Sequence, residues 1–170
     1  MITLIAKIMM AISFLFYGGL ITAFWISAIL GWHNDIWELY DFPVQPAPPP
    51  LWIMGLGLFF TILAFSGLLM AYVAVWKILN GGTDQDFCVL ASRMRKLAIG
   101  LFGFWLGYNL IYGAISYLLV IITDGLSNME VDWDPFGTDV IYLIMSIAIF
   151  AIAKTLHRAW EAEEEMRHFL

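Results

Sequence analysis

Three stretches of this chain run for more than twenty residues without a charged side chain, at 8–30, 51–76 and 97–123. A helix needs about 20 predominantly apolar residues to cross the hydrocarbon core of a bilayer, and each stretch meets that length. A fourth is shorter. Only 140–153 is free of charge, but the segment reaches span length if its helix begins near Pro135. Asp139 would then lie in one headgroup layer, and Lys154 and Arg158 would snorkel into the other. The pattern predicts an all-α membrane four-helix bundle made of one domain over 1–170. Its spans fall at about 8–30, 51–76, 97–123 and 135–156, and a charged helical tail follows at 157–170.

Local signals fit these elements. Pro43, Pro46, Pro48, Pro49 and Pro50 form a stiff approach to the second span, ending in a proline suited to a helix's first turn. Asn80-Gly81-Gly82 can stop that helix, and Thr83 with Asp86 resembles a capping box. The third helix is therefore expected to begin near Asp84, with Phe87, Leu90, Met94 and Leu97 as an apolar stripe at the membrane surface. Trp32, Trp37, Tyr40 and Trp52 at one end, and Trp76 and Trp160 at the other, fit aromatic belts.

Charge then orients the bundle. All eight Lys and Arg residues (Lys7, Lys77, Arg93, Arg95, Lys96, Lys154, Arg158 and Arg167) fall at the same end of the spans. The opposite loops carry only acids: Asp35, Glu38, Asp41, Asp124, Glu130, Asp132, Asp134 and Asp139. Basic loops stay in the cytoplasm, so both termini and Cys88 are expected inside and the acidic face outside. Composition agrees: 62% of residues are hydrophobic, 13% are charged, and mean hydropathy is +0.83. A soluble domain of this size carries about a quarter charged residues. The first apolar run is too long for a cleaved signal and reads as a retained anchor.

Membrane helices associate through close approach at small residues. Such residues recur as Gly19, Ala23 and Ser27 in the first span and as Ala64, Gly67, Ala71 and Ala74 in the second. The third has Gly100, Gly103, Gly107 and Ala114. Asn109, beside Trp105, Tyr108 and Tyr112, is the most polar mid-span group. It can face a cavity, but an Asn in this setting more often bonds across a helix interface.

Candidate chemistry is sparse. No span contains histidine, which excludes an interhelical haem with two histidine ligands. Cys88 is the single cysteine, which excludes an intrachain disulfide and paired-thiolate or zinc-ribbon chemistry. His157, Glu161, Glu164 and His168 share a helical face, yet such a face is more often solvated than metal-binding. Glu130, Asp132, Asp134 and Asp139 do not match a calcium loop. No phosphate loop, dinucleotide fingerprint or nucleophile elbow is present. The expectation is a protein without cofactor, catalytic site, metal or direct nucleic-acid contact. The tail has no Pro or Gly, and Arg158, Trp160, Glu161, Glu164 and Arg167 are its candidate docking residues.

Two segments carry a family resemblance. Asp86-Phe87-Cys88-Val89-Leu90 with Arg93-Met94-Arg95-Lys96-Leu97-Ala98-Ile99-Gly100 resembles the loop entering the third span of a small bacterial four-helix inner-membrane protein family of unknown function. The run from Ile149 through Lys154-Thr155-Leu156-His157-Arg158-Ala159-Trp160 to Glu165 resembles its last span and acidic tail. The resemblance covers roughly the second half of the chain. It implies four spans in a bacterial plasma membrane and a gene often adjacent to a helix-turn-helix regulator, with no catalytic residues to carry over.

The leading functional expectation is a non-enzymatic accessory or scaffold subunit. It would act through helix–helix contacts with other integral membrane subunits in the lipid bilayer. A membrane sensor or regulator holding a cytoplasmic protein is the second reading, and a small transporter the third.

Overall fold

A computed structural model describes residues 2–32, 36, 48–81, 86–122 and 140–168. They form four long helices: α1 (Ile2–Ile29), α2 (Leu51–Asn80), α3 (Phe87–Ile122) and α4 (Val140–His168). All four are long and apolar enough to cross a membrane. At 1.5 Å per residue the 30-residue α2 is about 45 Å long, more than the hydrocarbon core requires.

The helix ends follow from the chain. α1 stops in a Schellman arrangement: Gly31, with φ of 112°, donates to the Ala28 carbonyl at 3.2 Å, and Trp32 donates to Ser27 at 3.0 Å. Pro50 sits at the N-cap of α2, where its carbonyl accepts from Ile53 at 2.9 Å. Asn80 is the last residue of α2, and Gly81 follows in right-handed conformation (φ −77°). α3 starts at Phe87 after the N-cap Asp86, three residues beyond the expected Asp84. Its one irregularity is a π-helical turn at Leu110–Ala114, which widens the helix by one residue. α4 continues without interruption to His168, well past its apolar portion.

The centre of the fold is the seam between α2 and α3. A Cβ on Gly67 would lie 2.6 Å from the Phe104 backbone nitrogen and 2.7 Å from the Gly100 carbonyl. One on Gly100 would lie 2.6 Å from the Ala71 nitrogen, and one on Gly107 would lie 2.7 Å from Ala64. The two backbones therefore touch directly over several turns. Ala64, Gly67 and Ala71 are buried in this seam, and a Cβ on Gly103 would lie 3.6 Å from the Gly67 Cα.

The other seams work differently. α1 meets α2 by size complementarity: the fully buried Trp25 ring lies over Gly57, where a Cβ would come within 2.3 Å of it. Ile53, Met54, Ile111, Ile115 and Leu119 complete that cluster near one end of the bundle. α4 is pinned to α3 by Ser146, whose buried hydroxyl donates to the Ala98 carbonyl at 2.8 Å. Phe104 and Tyr142 pack edge to face, 5.3 Å apart, across the same joint.

Among the described residues, the backbone of α1 approaches only α2, and that of α4 only α3. The helices thus form a curved array in chain order. It is open between its first and last members.

Candidate functional site

That opening is a cleft of about 830 Å³, walled by all four helices. α1 contributes Met9, Phe14 and Ile21, and α2 contributes Phe65, Tyr72 and Val75. α3 supplies Leu97, Leu101 and Phe104, followed by Tyr108 and Tyr112, whose centroids lie 4.6 Å apart. Tyr142, Met145 and Ile149 of α4 form the far wall. Every lining side chain is aliphatic, aromatic or thioether. Among the described residues, its polar groups are the hydroxyls of Tyr72, Tyr108, Tyr112 and Tyr142, with no carboxylate, imidazole, amine or thiol in the lining.

One wall is a continuous aromatic ladder. Phe14 meets Phe65 edge-on at 6.0 Å and stacks on Tyr72 at 6.5 Å, and Tyr72 meets Trp76 at 5.9 Å. The ladder ends in charge: the Lys7 ammonium sits 4.6 Å over the Trp76 ring and also donates to the Asn80 side-chain oxygen. Nearby, Arg93 Nη1 donates to the Lys77 carbonyl at 2.6 Å. Lys7 and Arg93 thus both dock on the last turn of α2, where unpaired carbonyls and the helix dipole attract cations.

The π turn lies beside the cleft. Tyr108 and Tyr112 flank it on the open side, while Ile111, Gly113 and Ile115 are buried on the other. Asn109 is 7% exposed and is absent from the lining. Its side-chain amide donates to the Trp105 carbonyl of its own helix at 2.9 Å, where a bond to a neighbouring helix was the expectation. Thr61 does the same, to Gly57 at 2.8 Å. Turning a polar group back on its own helix satisfies it inside an apolar bundle without a partner.

The small-residue stripes have divided fates. Those of α2 and α3 (Ala64, Gly67, Ala71, Gly100, Gly103 and Gly107) meet one another. That of α1 meets no other helix among the described residues: Gly19 has no atom within 4 Å of a built Cβ, Ala23 is exposed, and Ser27 bonds back to Phe24 at 2.8 Å. α1 is instead held by Trp25 and Ala28, so its packing face is turned away from the stripe.

In the tail, Glu161 lies 3.5 Å from His157 one turn earlier. The His157 ring stacks on Trp160 at 5.7 Å. Arg158, Glu161 and Glu164 are exposed and Trp160 is half-buried, while the Arg167 side chain lies outside the described residues. The acidic face of Asp35, Glu38, Asp41, Asp124, Glu130, Asp132, Asp134 and Asp139 also lies outside them. Sequence reasoning had named Asn109 as the group that can face a cavity, whereas its neighbours Tyr108 and Tyr112 line the cleft and Asn109 does not. It had no signal for the α1 and α4 walls, because nothing local encodes which helices fail to meet.

Comparison with protein-family models, with curated proteins and with solved structures gives no match to this chain.

Proposed function

We propose that the chain is a multi-pass membrane protein of the bacterial plasma membrane, with both termini cytoplasmic. On this reading it acts without catalysis, as an accessory subunit that binds other membrane chains through helix contacts. The observation that carries the proposal is the unused stripe on α1. Gly19 and Ala23 keep the spacing that lets two helices approach closely, yet both face outward. Within the chain the same kind of stripe builds its tightest seam. The partition of all eight basic residues supports the orientation, and the family resemblance of the second half supports the source.

Gentle detergent extraction, followed by sizing and mass spectrometry of the co-purifying chains, tests this. A stoichiometric membrane partner is expected, and Gly19→Leu with Ala23→Leu should release it. A side chain at Gly19 meets no neighbour at its first atom and Ala23 is exposed, so loss of the partner would report on the interface and not on the fold. A chain that elutes alone, or a partner unaffected by both substitutions, overturns the proposal.

A second reading has its own observation. α4 continues as a helix to His168 with Arg158, Glu161 and Glu164 exposed, a form suited to holding a cytoplasmic protein. Truncation after Arg158 would release such a protein while leaving the spans in place.

A further inference from the structure

The buried face of α3 keeps its direction through the π turn only because of the residue that the turn adds. Gly107, Ile111, Ile115 and Leu119 are all buried and follow one another at four-residue steps. In an uninterrupted α-helix a step of four overshoots a full turn by about 40°. Three such steps would carry Leu119 about 120° away from the face that Gly107 turns to α2. A π turn accommodates one extra residue, which takes back about 100° and leaves Leu119 within about 20° of Gly107. Ile115 and Leu119 therefore reach the Trp25 cluster because the turn is there.

The same sequence holds a second set for that face. Without the turn, the positions seven and eleven after Gly107 would share its direction, each within about 20°. They are Ala114 and Leu118, which the structure leaves half-buried. Ala114 is the residue that continues the sequence stripe of Gly100 and Gly107, and the π turn is what takes it off the seam. We propose that the last third of α3 has two registers. In the one seen, Ile115 and Leu119 pack with Trp25. In the other, the π turn closes into α-helix, and the residues after it rotate by about 100° and advance by about 1.5 Å. Ala114 and Leu118 then take the places of Ile115 and Leu119.

The exchange is chemically open. The segment 110–122 contains no Asp, Glu, Lys or Arg, so the rotation carries no charge into the core. Nor does a hydrogen bond from Trp25 hold the first register, because its buried indole nitrogen has no acceptor. Packing alone chooses between the two, and closely packed elements change in discrete steps and not by degrees. The choice reaches α1 through Trp25, the ring that seats α1 over Gly57. With the methyl group of Ala114 where Ile115 now stands, that ring loses part of its support. The register of α3 thus sets how firmly this end of α1 is docked, whether or not α1 meets a partner.

The test uses the full-length chain carrying Cys88→Ser, after gentle detergent extraction, and follows oxidative disulfide formation between α2 and α3. Ile53 and Leu119 are fully buried in one cluster. Ile53→Cys with Leu119→Cys therefore reads the first register, and Ile53→Cys with Leu118→Cys reads the second. In the parent the first disulfide is expected to exceed the second about tenfold or more, the ratio of a major to a minor state. Exchanging the two side chains, by Ala114→Ile with Ile115→Ala, puts the large one where an unbroken helix needs it, and the preference should reverse. Deleting Gly113 removes the extra residue, so an unbroken helix again presents Leu119, and the first disulfide should persist. Equal yields or neither disulfide in the parent overturns the proposal. So does an exchanged chain that still favours Leu119→Cys, or a deleted chain that favours Leu118→Cys. Failure of either chain to fold overturns it as well, because the uninterrupted helix is then closed to this sequence.

Discussion

Gly67 and Gly19 belong to equivalent sequence patterns, each one member of a small-residue stripe in an apolar helix, yet the structure gives them opposite surroundings. A side-chain carbon at Gly67 would collide with the backbone of α3, whereas one at Gly19 would meet open space. The contrast shows what such a stripe encodes. It permits close approach, but it does not say whether the second helix comes from the same chain. In this molecule the intrachain seam is taken by α2 and α3, and α1 is held by one large ring over one small residue.

The contrast can be broken most sharply at the seam itself. Gly67→Leu inserts four carbons where the nearest backbone atoms leave no room, at a cost of about 3 kcal/mol or more. The expected result is loss of monodisperse protein after extraction, with Gly19→Leu run beside it and still folded and monodisperse. Equal behaviour of the two would mean that the α2–α3 contact is not the centre of the fold. A smaller effect is expected at the α1–α2 seam. Trp25→Ala empties the site over Gly57 and should cost about 3 kcal/mol at most, since α1, packed on one side alone, can settle into part of the void. Thermal unfolding in lipid nanodiscs reads it. Trp25→Phe should cost clearly less, because the buried indole nitrogen has no hydrogen-bond acceptor to lose. A penalty for Trp25→Phe as large as that for Trp25→Ala would show that the indole edge matters. The smallest change is expected at the α3–α4 joint. Ser146→Ala removes one interhelical hydrogen bond, worth about 0.6 kcal/mol in membrane proteins, and the Ala98 carbonyl stays within the helix ladder of α3. A shift approaching that of Trp25→Ala would mean that Ser146, and not the aromatic contact of Phe104 with Tyr142, fastens α4.

Much of this architecture was legible before any coordinates. The four long apolar helices follow from runs of uncharged residues, and the break after Asn80 follows from the glycines there. The helix bounds were less legible, for a physical reason. Hydropathy locates the segment that tolerates hydrocarbon, while hydrogen bonding decides where the helix ends. α1 therefore begins at Ile2, ahead of Lys7, and α3 begins ten residues before the uncharged run at Leu97. The cap at Gly31 falls one residue past the apolar run that ends at Leu30. The π turn had no readable signal, because Leu110-Ile-Tyr-Gly-Ala114 is ordinary helical sequence. Asn109 was misplaced because an amide can satisfy itself on its own helix as well as across an interface. The cleft was hidden because it is defined by an approach that α1 and α4 do not make.

The unbroken length of α4 has a mechanical consequence. Contacts with α3 continue past Ser146 to Phe150, which lies under Arg95, and Ala153 is still buried; 15 residues of continuous helix separate Ala153 from His168. At 1.5 Å per residue this is an arm of about 22 Å. A pivot of about 8° at Ala153 would sweep its tip through roughly 3 Å on that geometry, a displacement comparable with a hydrogen-bond length. Because no Pro or Gly interrupts 140–168, the arm has no hinge to absorb the motion. Small changes in how α4 leans on α3, including those set by whatever fills the space beside it, would therefore reach the tail amplified.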